Sequence, residues 1–260
     1  MTTIIYDKYN KAVASDTRWS CEAEFSDGRK YFFYVDDSDF EKIADRDTAV
    51  LILAGQGDLI AKWKDWWHNS LDENNLPPIE NANGMTAVSL MIINKTTNEV
   101  IFDAGQKKLL YCMQTNNLMS VFAGSGDLWA AHCWNTNRDY VSAVITASNN
   151  DLYTSPIVKF VDFGNGTKNV AKCCFQYNEI SNAMLRRGYF MDISNGQPAA
   201  NDVGTPLTSE QLRTELSSKL ANGSIVASAP VPGLSNFKWT DEHKARFQRA
   251  IQQVKQQENR

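Results

Sequence analysis

The sequence predicts an α+β protein, with antiparallel sheets packed together and helices outside. Three observations lead there. Short β-favouring runs come in pairs joined by turn residues. The clearest apolar run, AVLILAG at 49–55, is bounded by turn residues and has the length of a buried strand. The helical patterns stand singly or side by side, and do not alternate with strands as a βαβ repeat would require.

TTIIYD and KAVASD, joined by KYN, read as an N-terminal hairpin, and CEAEF (21–25) with RKYFFYVDD (29–37) as a second one around SDG. DTAVLILAG (47–55) is a buried strand. From residue 57 the period changes. Leu59, Ile60, Trp63, Trp66, Trp67 and Leu71 recur at helical spacing, Asp58 lies near the positive end, and Pro77-Pro78 prevents continuation. The tryptophans of this helix read as core or subunit contact. MTAVSLMIINK (85–95) and EVIFDAG (99–105) form a hairpin turning at Thr96-Thr97-Asn98, and LMSVFAG (118–124) is another buried strand. SGDLWAAHCWNTN and RDYVSAVITASNN are two consecutive helices. Ser125 reads as an N-cap of the first, and His132 as a packed core residue within it. SPIVKFVDF (155–163) is a strand and NVAKCCFQY (169–177) a candidate for one more.

After about residue 178 the texture changes. SNGQPAANDVGTP (194–206) reads as a linker or surface loop. TSEQLRTELSSKLANG (208–223) begins with a capping box, Thr208 with Gln211, and stops at Gly223. ASAPVPG (227–233) is a second irregular connection. TDEHKARFQRAIQQVKQQ (240–257) is a Thr-capped helix with a narrow stripe of Phe247, Ile251 and Val254. Residues 1–177 therefore read as one domain, and residues 178–260 as a helical C-terminal extension with loop segments.

At 260 residues, 43% hydrophobic and 22% charged, the chain has the composition of an ordinary globular protein. A net charge of −4 is too small to imply a partner, but it is unevenly spread. Residues 1–163 hold 14 Lys/Arg against 22 Asp/Glu, and residues 164–260 hold 12 against 8, so the basic part could serve as a contact surface. The five cysteines, Cys21, Cys112, Cys133, Cys173 and Cys174, lack zinc spacing and read as reduced, mostly buried thiols of a cytoplasmic protein. His68, His132 and His243 have neither metal nor triad spacing. The longest apolar run is too short for a bilayer, and Asp7, Lys8 and Lys11 interrupt any signal-peptide pattern. The basic C-terminal helix has no dense cluster or recognised motif for nucleic acid. Neither a membrane, a nucleic acid, a metal nor an organic cofactor is expected.

Four stretches carry chemistry together: Thr2-Thr3-Ile4-Ile5; Ala14-Ser15-Asp16-Thr17-Arg18; Phe40-Glu41-Lys42-Ile43 leading to Leu53-Ala54-Gly55; and Ala123-Gly124-Ser125-Gly126 with Asp151-Leu152-Tyr153-Thr154. A threonine exposed by removal of Met1 carries a hydroxyl and a free amine, a nucleophile with its own base attached. In their order and element context these stretches resemble a proteasome-type β subunit of the N-terminal nucleophile hydrolase superfamily, closest to bacterial and phage relatives. The resemblance covers about residues 2–163 and implies a four-layer αββα sandwich of two antiparallel sheets. It implies Thr2 as nucleophile, Lys42 as the ammonium beside it, and Asp16 as the acid that holds that lysine. Gly55 would donate its backbone N–H to the oxyanion. Ser125, Asp151 and Thr154, the last usually serine in the family, would support the N-terminal amine, and Arg18 would be structural. By order, Trp19, Phe40, Ala44, Leu53 and Gly57 would border a shallow substrate pocket.

The stretch from Asp16 to Lys42 is longer than in the family, so Lys30 competes with Lys42. The "KI" leading into a strand that ends in AG favours Lys42. The expected activity is that of a threonine-type peptidase acting on peptide or unfolded protein. The family also implies a homo-oligomer, commonly a ring, in some members fed by an ATP-driven unfoldase. The alternatives are a proteasome-like scaffold without proteolysis and a small-molecule amidohydrolase on the same fold.

Overall fold

The computed structural model describes residues 2–171 and 175–259. In chain order the strands and helices are β1 (Thr3–Asp7), β2 (Ala12–Asp16), β3 (Trp19–Glu24), β4 (Lys30–Val35), β5 (Ile43–Asp45), β6 (Ala49–Gln56) and α1 (Gly57–Asn69). There follow β7 (Val88–Asn94), β8 (Glu99–Ala104), β9 (Lys108–Tyr111), β10 (Leu118–Gly124), α2 (Asp127–Asn137), α3 (Tyr140–Ser148), β11 (Val158–Asp162) and β12 (Thr167–Lys168). The last part holds α4 (Asn178–Arg187), β13 (Tyr189–Asp192), β14 (Thr205–Pro206), α5 (Glu210–Ala221), β15 (Ser228–Ala229) and α6 (Asp241–Glu258).

The fold is mixed α+β, with two antiparallel sheets and six α-helices among the described residues. The first sheet runs β12-β11-β2-β1-β10-β9. The second runs β14-β13-β4-β3-β15-β6-β7-β8, with β5 added on β6. Strand alternation sorts side chains between faces. Ile4 and Tyr6 of β1 join Val50, Ile52 and Ala54 of β6 in a cluster shared by the two sheets. Ile5, between them in sequence, instead packs with Trp134 of α2 and Ala143, Val144 and Ala147 of α3. Leu51 and Leu53 of β6 belong to a third cluster with Trp63 and Trp67 of α1 and Phe247 of α6. Apolar material therefore lies between the sheets and under the helices on both outer faces, an arrangement compatible with a layered sandwich.

The tryptophans of α1 are core: Trp63, Trp66 and Trp67 are buried, and each indole N–H donates to a backbone carbonyl, of Pro78, Asp72 and Ala44 respectively. Other readings need correction. The helix at 208–223 is capped by Ser209, whose side chain accepts from Leu212 N, and not by Thr208. His132 is exposed; apolar and polar residues of α2 are spread over all its faces, so sequence alone does not tell which face is covered. The candidate strand at 169–177, with Cys173 and Cys174, lies partly outside the described residues, and Asn169–Ala171 are not in a strand.

Residues 178–260 are more than helices and loops. They supply β13 and β14 to the edge of β4 and place β15 between β3 and β6. Helix α6 starts with a capping box between Thr240 and His243 and buries Phe247, Ala250, Ile251 and Val254. The Phe247 ring lies 5.0–5.7 Å, centroid to centroid, from Phe102, Trp63, Trp66 and Trp239. Such a ring is part of the common core, and truncating it leaves a cavity. We expect Phe247→Ala to lower the unfolding free energy by about 3–5 kcal/mol, with urea denaturation followed by tryptophan fluorescence still showing one transition. A second, separate transition would mean that the C-terminal part unfolds by itself.

Candidate active site

The N-terminal hairpin brings the first functional groups together. Its antiparallel register pairs Ile4 with Ser15, which carries Asp16 to the level of Thr3. Asp16 is 1% exposed and Thr2 is fully buried. The Asp16 carboxyl group is the meeting point of five donors. Its Oδ1 accepts from the Thr2 hydroxyl at 2.5 Å, the Thr3 N–H at 2.9 Å and Lys42 Nζ at 2.9 Å. Its Oδ2 accepts from the N–H groups of Arg18 at 2.8 Å and Ser155 at 3.2 Å. The ammonium of Lys42 also donates to Thr2 Oγ1 at 2.8 Å, so the three side chains form a closed triangle.

Lys42 is buried completely. Burial pulls its ammonium below the usual lysine range, and the adjacent Asp16 offsets that only in part. The loop that presents it is tied down at three consecutive carbonyls. Trp19 Nε1 donates to Phe40 O at 2.8 Å, Lys64 Nζ to Glu41 O at 2.8 Å, and Leu53 N to Lys42 O at 2.8 Å. One donor comes from β3, one from α1 and one from β6, so three elements fix the lysine. The competing Lys30 is far more open, with a half-exposed side chain whose Nζ pairs with Glu22.

A second network borders the first. Ser125 Oγ and Thr154 Oγ1 both donate to Asp151 Oδ2, the latter at 2.6 Å. Thr154 Oγ1 also lies 2.8 Å from the hydroxyl of Thr3, so this group reaches the neighbour of Thr2 and ties down the start of β1. Ser125 caps no helix: Gly126 is the N-cap of α2 and has no side chain to accept a bond. The glycines around Ser125 have a steric reason. Gly124 has φ +100, and a Cβ there would stand 1.8 Å from Thr2 O; a Cβ at Gly126 would stand 2.0 Å from Thr3 Oγ1.

Arg18 braces both networks. Its guanidinium forks onto Asp36 with two bonds of 2.7 Å, donates to Leu152 O at 2.6 Å and lies 4.0 Å over the Tyr34 ring. Gly55 has φ +124, and a Cβ on it would stand 2.0 Å from Ala87 O, so close strand approach demands glycine. Gly55 lies in register with Ala229 of β15. The expected substrate pocket is packed core. Trp19, Phe40, Ala44 and Leu53 are at most 1% exposed, with Trp19 and Phe40 edge to face at 5.4 Å, and Ala227 O lies where a Cβ on Gly57 would go. Large aromatic side chains gain more from burial than from lining an open cleft.

No family model and no curated protein matches this chain. Among the described residues no group of three or more His, Cys, Asp or Glu is arranged to hold a metal ion, and no helix is long and apolar enough to cross a membrane.

Sequence reasoning missed Thr3, Ser155, Asp36 and Lys64. Thr3 and Ser155 adjoin Thr2 and Thr154 and carry the right donors, a usable signal. Lys64 gave none, since a lysine in an amphipathic helix reads as solvated. Breaking a buried ion pair from one side leaves an uncompensated charge, and we expect Asp16→Asn to lose about 3–5 kcal/mol of stability. Adding Lys42→Met to Asp16→Asn should recover part of that loss in a double-mutant cycle by urea denaturation. Simple additivity would mean that the two side chains are not coupled.

Proposed function

We propose that the chain is a threonine-type amide-bond hydrolase on an αββα N-terminal nucleophile fold, with Thr2 as nucleophile once Met1 is removed and peptide or unfolded protein as substrate. The observation that carries the reading is the triangle of Thr2 Oγ1, Lys42 Nζ and Asp16 Oδ1, with edges of 2.5, 2.8 and 2.9 Å. A hydroxyl between an ammonium and a carboxylate is oriented, and the positive charge favours its alkoxide-like form.

In the reaction, Thr2 Oγ forms a bond to the substrate carbonyl carbon and its proton passes to the neutral α-amine, directly or through water. The tetrahedral oxyanion is met by a backbone donor, for which Gly55 is the candidate. Collapse breaks the C–N bond, and the amine that leaves takes the proton held by the Thr2 α-amine. Water then hydrolyses the ester and restores the hydroxyl. The Lys42 charge also lowers the proton affinity of the nearby α-amine, whose ordinary pKa is about 7.7–8.0. Ser125, Asp151 and Thr154 act as positioning groups through Thr3.

Assembly into a homo-oligomer belongs to the same proposal. The exposed apolar side chains Leu109 and Tyr111 on β9 and Leu128 and Trp129 on α2 support it. The burial of Thr2 favours a second reading, a scaffold of the same fold without hydrolysis.

A chain starting at Thr2 should turn over fluorogenic peptides, with Thr2→Ser retaining measurable activity and Thr2→Ala losing at least about a thousandfold in kcat/KM. Equal turnover by wild type and Thr2→Ala would reject the assignment. Activity should rise with pH between 6 and 9 with an apparent pKa at or below about 8. A flat profile, in steady-state kinetics limited by chemistry, would remove the amine as base.

A further inference from the structure

The second sheet has a slot. Strands β3 and β6 are not bonded to each other; between them lies β15, only Ser228 and Ala229 long. Ser228 pairs with Ser20 on one side and Gln56 on the other, and Ala229 pairs with Gly55. Gly57 N donates to Ala227 O at 3.0 Å. Remove this segment and two facing strand edges stand with unpaired backbone, an arrangement that accepts an extended chain from both sides.

The slot adjoins the proposed nucleophile. Its two walls reach the loop of Lys42: the Trp19 ring, one residue before Ser20, lies 5.5 Å from Lys42 Nζ, and Leu53, two before Gly55, bonds the Lys42 carbonyl at 2.8 Å. Downstream of β15, Val231 and Leu234 join the cluster that holds Ile4 and Ala123, the neighbours of Thr3 and Gly124. Thr2 is fully buried with this segment in place.

The occupant is a poor strand. Pro230 follows Ala229 directly and Pro232 comes two residues later, and neither has an N–H to donate to the ladder. Shallow clefts flank it, one bordered by Ser20, Glu22 and Tyr153, the other by Gly55, Gln56 and Thr86, and both share Ser228 and Pro230. On the β6 side the edge is filled on both flanks, by β5 with the Lys42 carbonyl and by Ala227 O, but on β3 the resident meets only Ser20, so a longer, proline-free peptide would find further backbone partners along β3.

We infer that the segment Ala227–Leu234 is an exchangeable resident of the slot between β3 and β6, closing the route to Thr2 until an extended peptide strand replaces it. This rests on the proposed hydrolase reading for its link to Thr2, although strand exchange itself does not require catalysis. A resident that is open for about 1% of the time weakens the apparent affinity for an incoming peptide about a hundredfold.

The test uses the full chain with Thr2→Ala, so that hydrolysis plays no part. Val231→Ser with Leu234→Ser removes the two apolar anchors. Hydrogen exchange of amides 226–236 is compared with that of β1 and β7, which report whether the fold is kept. The probe is a fluorescein-labelled, proline-free peptide, KTVSAVTAK, titrated by anisotropy. We expect faster exchange confined to 226–236 and at least tenfold tighter peptide binding. Equal affinity with the segment freed overturns the inference. Unchanged protection with both anchors gone also overturns it, because the segment is then a permanent strand of the sheet. Loss of Thr2-dependent turnover in the separate peptidase assay would reject the hydrolase reading and leave the binding result standing.

Discussion

The carboxyl group of Asp16 is the point on which this end of the molecule depends. It gathers the Thr2 hydroxyl, the Lys42 ammonium and the backbone N–H groups of Thr3, Arg18 and Ser155. Those donors come from the first strand, the turn after β2, the loop before β5 and the loop before β11. No hydrophobic contact could set four segments in register with such tolerance, because dispersion and burial are non-directional, whereas each of these bonds fixes a distance and an angle. The side chain is therefore a constraint on geometry before it is a source of stability.

Precision around Asp16 is passed outward by backbone carbonyls. The three consecutive carbonyls of Phe40, Glu41 and Lys42 each take a donor from a different element, and Lys64 and Trp19 are both buried for that task. Arg18 does the same on the other side, linking Asp36 after β4 to Leu152 beside Asp151. The segment around β15 is built differently. Its ladder is short, prolines end it, and its hold on the sheet relies on a few apolar side chains. Rigid placement of the groups around Asp16 and the looser hold of β15 thus belong to separate stretches of chain.

How far this was legible in the sequence depended on whether the signal was local. Thr2, Asp16 and Lys42 could be named because the hairpin TTIIYD/KAVASD and the buried strand DTAVLILAG are legible as elements, and because their order resembles that of the family named from sequence. Pattern favoured Lys42 over Lys30 without excluding the latter; burial separates them, and burial is a tertiary property. β15 was unreadable, since ASAPVPG has two prolines and pairs with residues some 170–210 positions earlier. β9 failed for another reason: an edge strand with no buried face carries no alternation. Trp19, read as a pocket wall, is buried and holds the Phe40 carbonyl through its indole N–H, because sequence order shows neighbourhood but not burial.

A buried lysine–aspartate pair is a poor way to gain stability. Removing two charges from water costs several kcal/mol per ion, and well-packed apolar residues of the same volume often do as well or better. The pair here is completely buried, with both side chains at 0% exposure, and the same is true of the threonine it contacts. In such surroundings a single charge acts on a neighbouring hydroxyl far more strongly than it would in water. Under the proposed function that is the return on an arrangement that stability alone would not favour. On the same reading, closure by the protein's own chain would suit the site: a segment that excludes water keeps the Lys42 charge effective, and an incoming peptide strand that replaces it would exclude water in the same way.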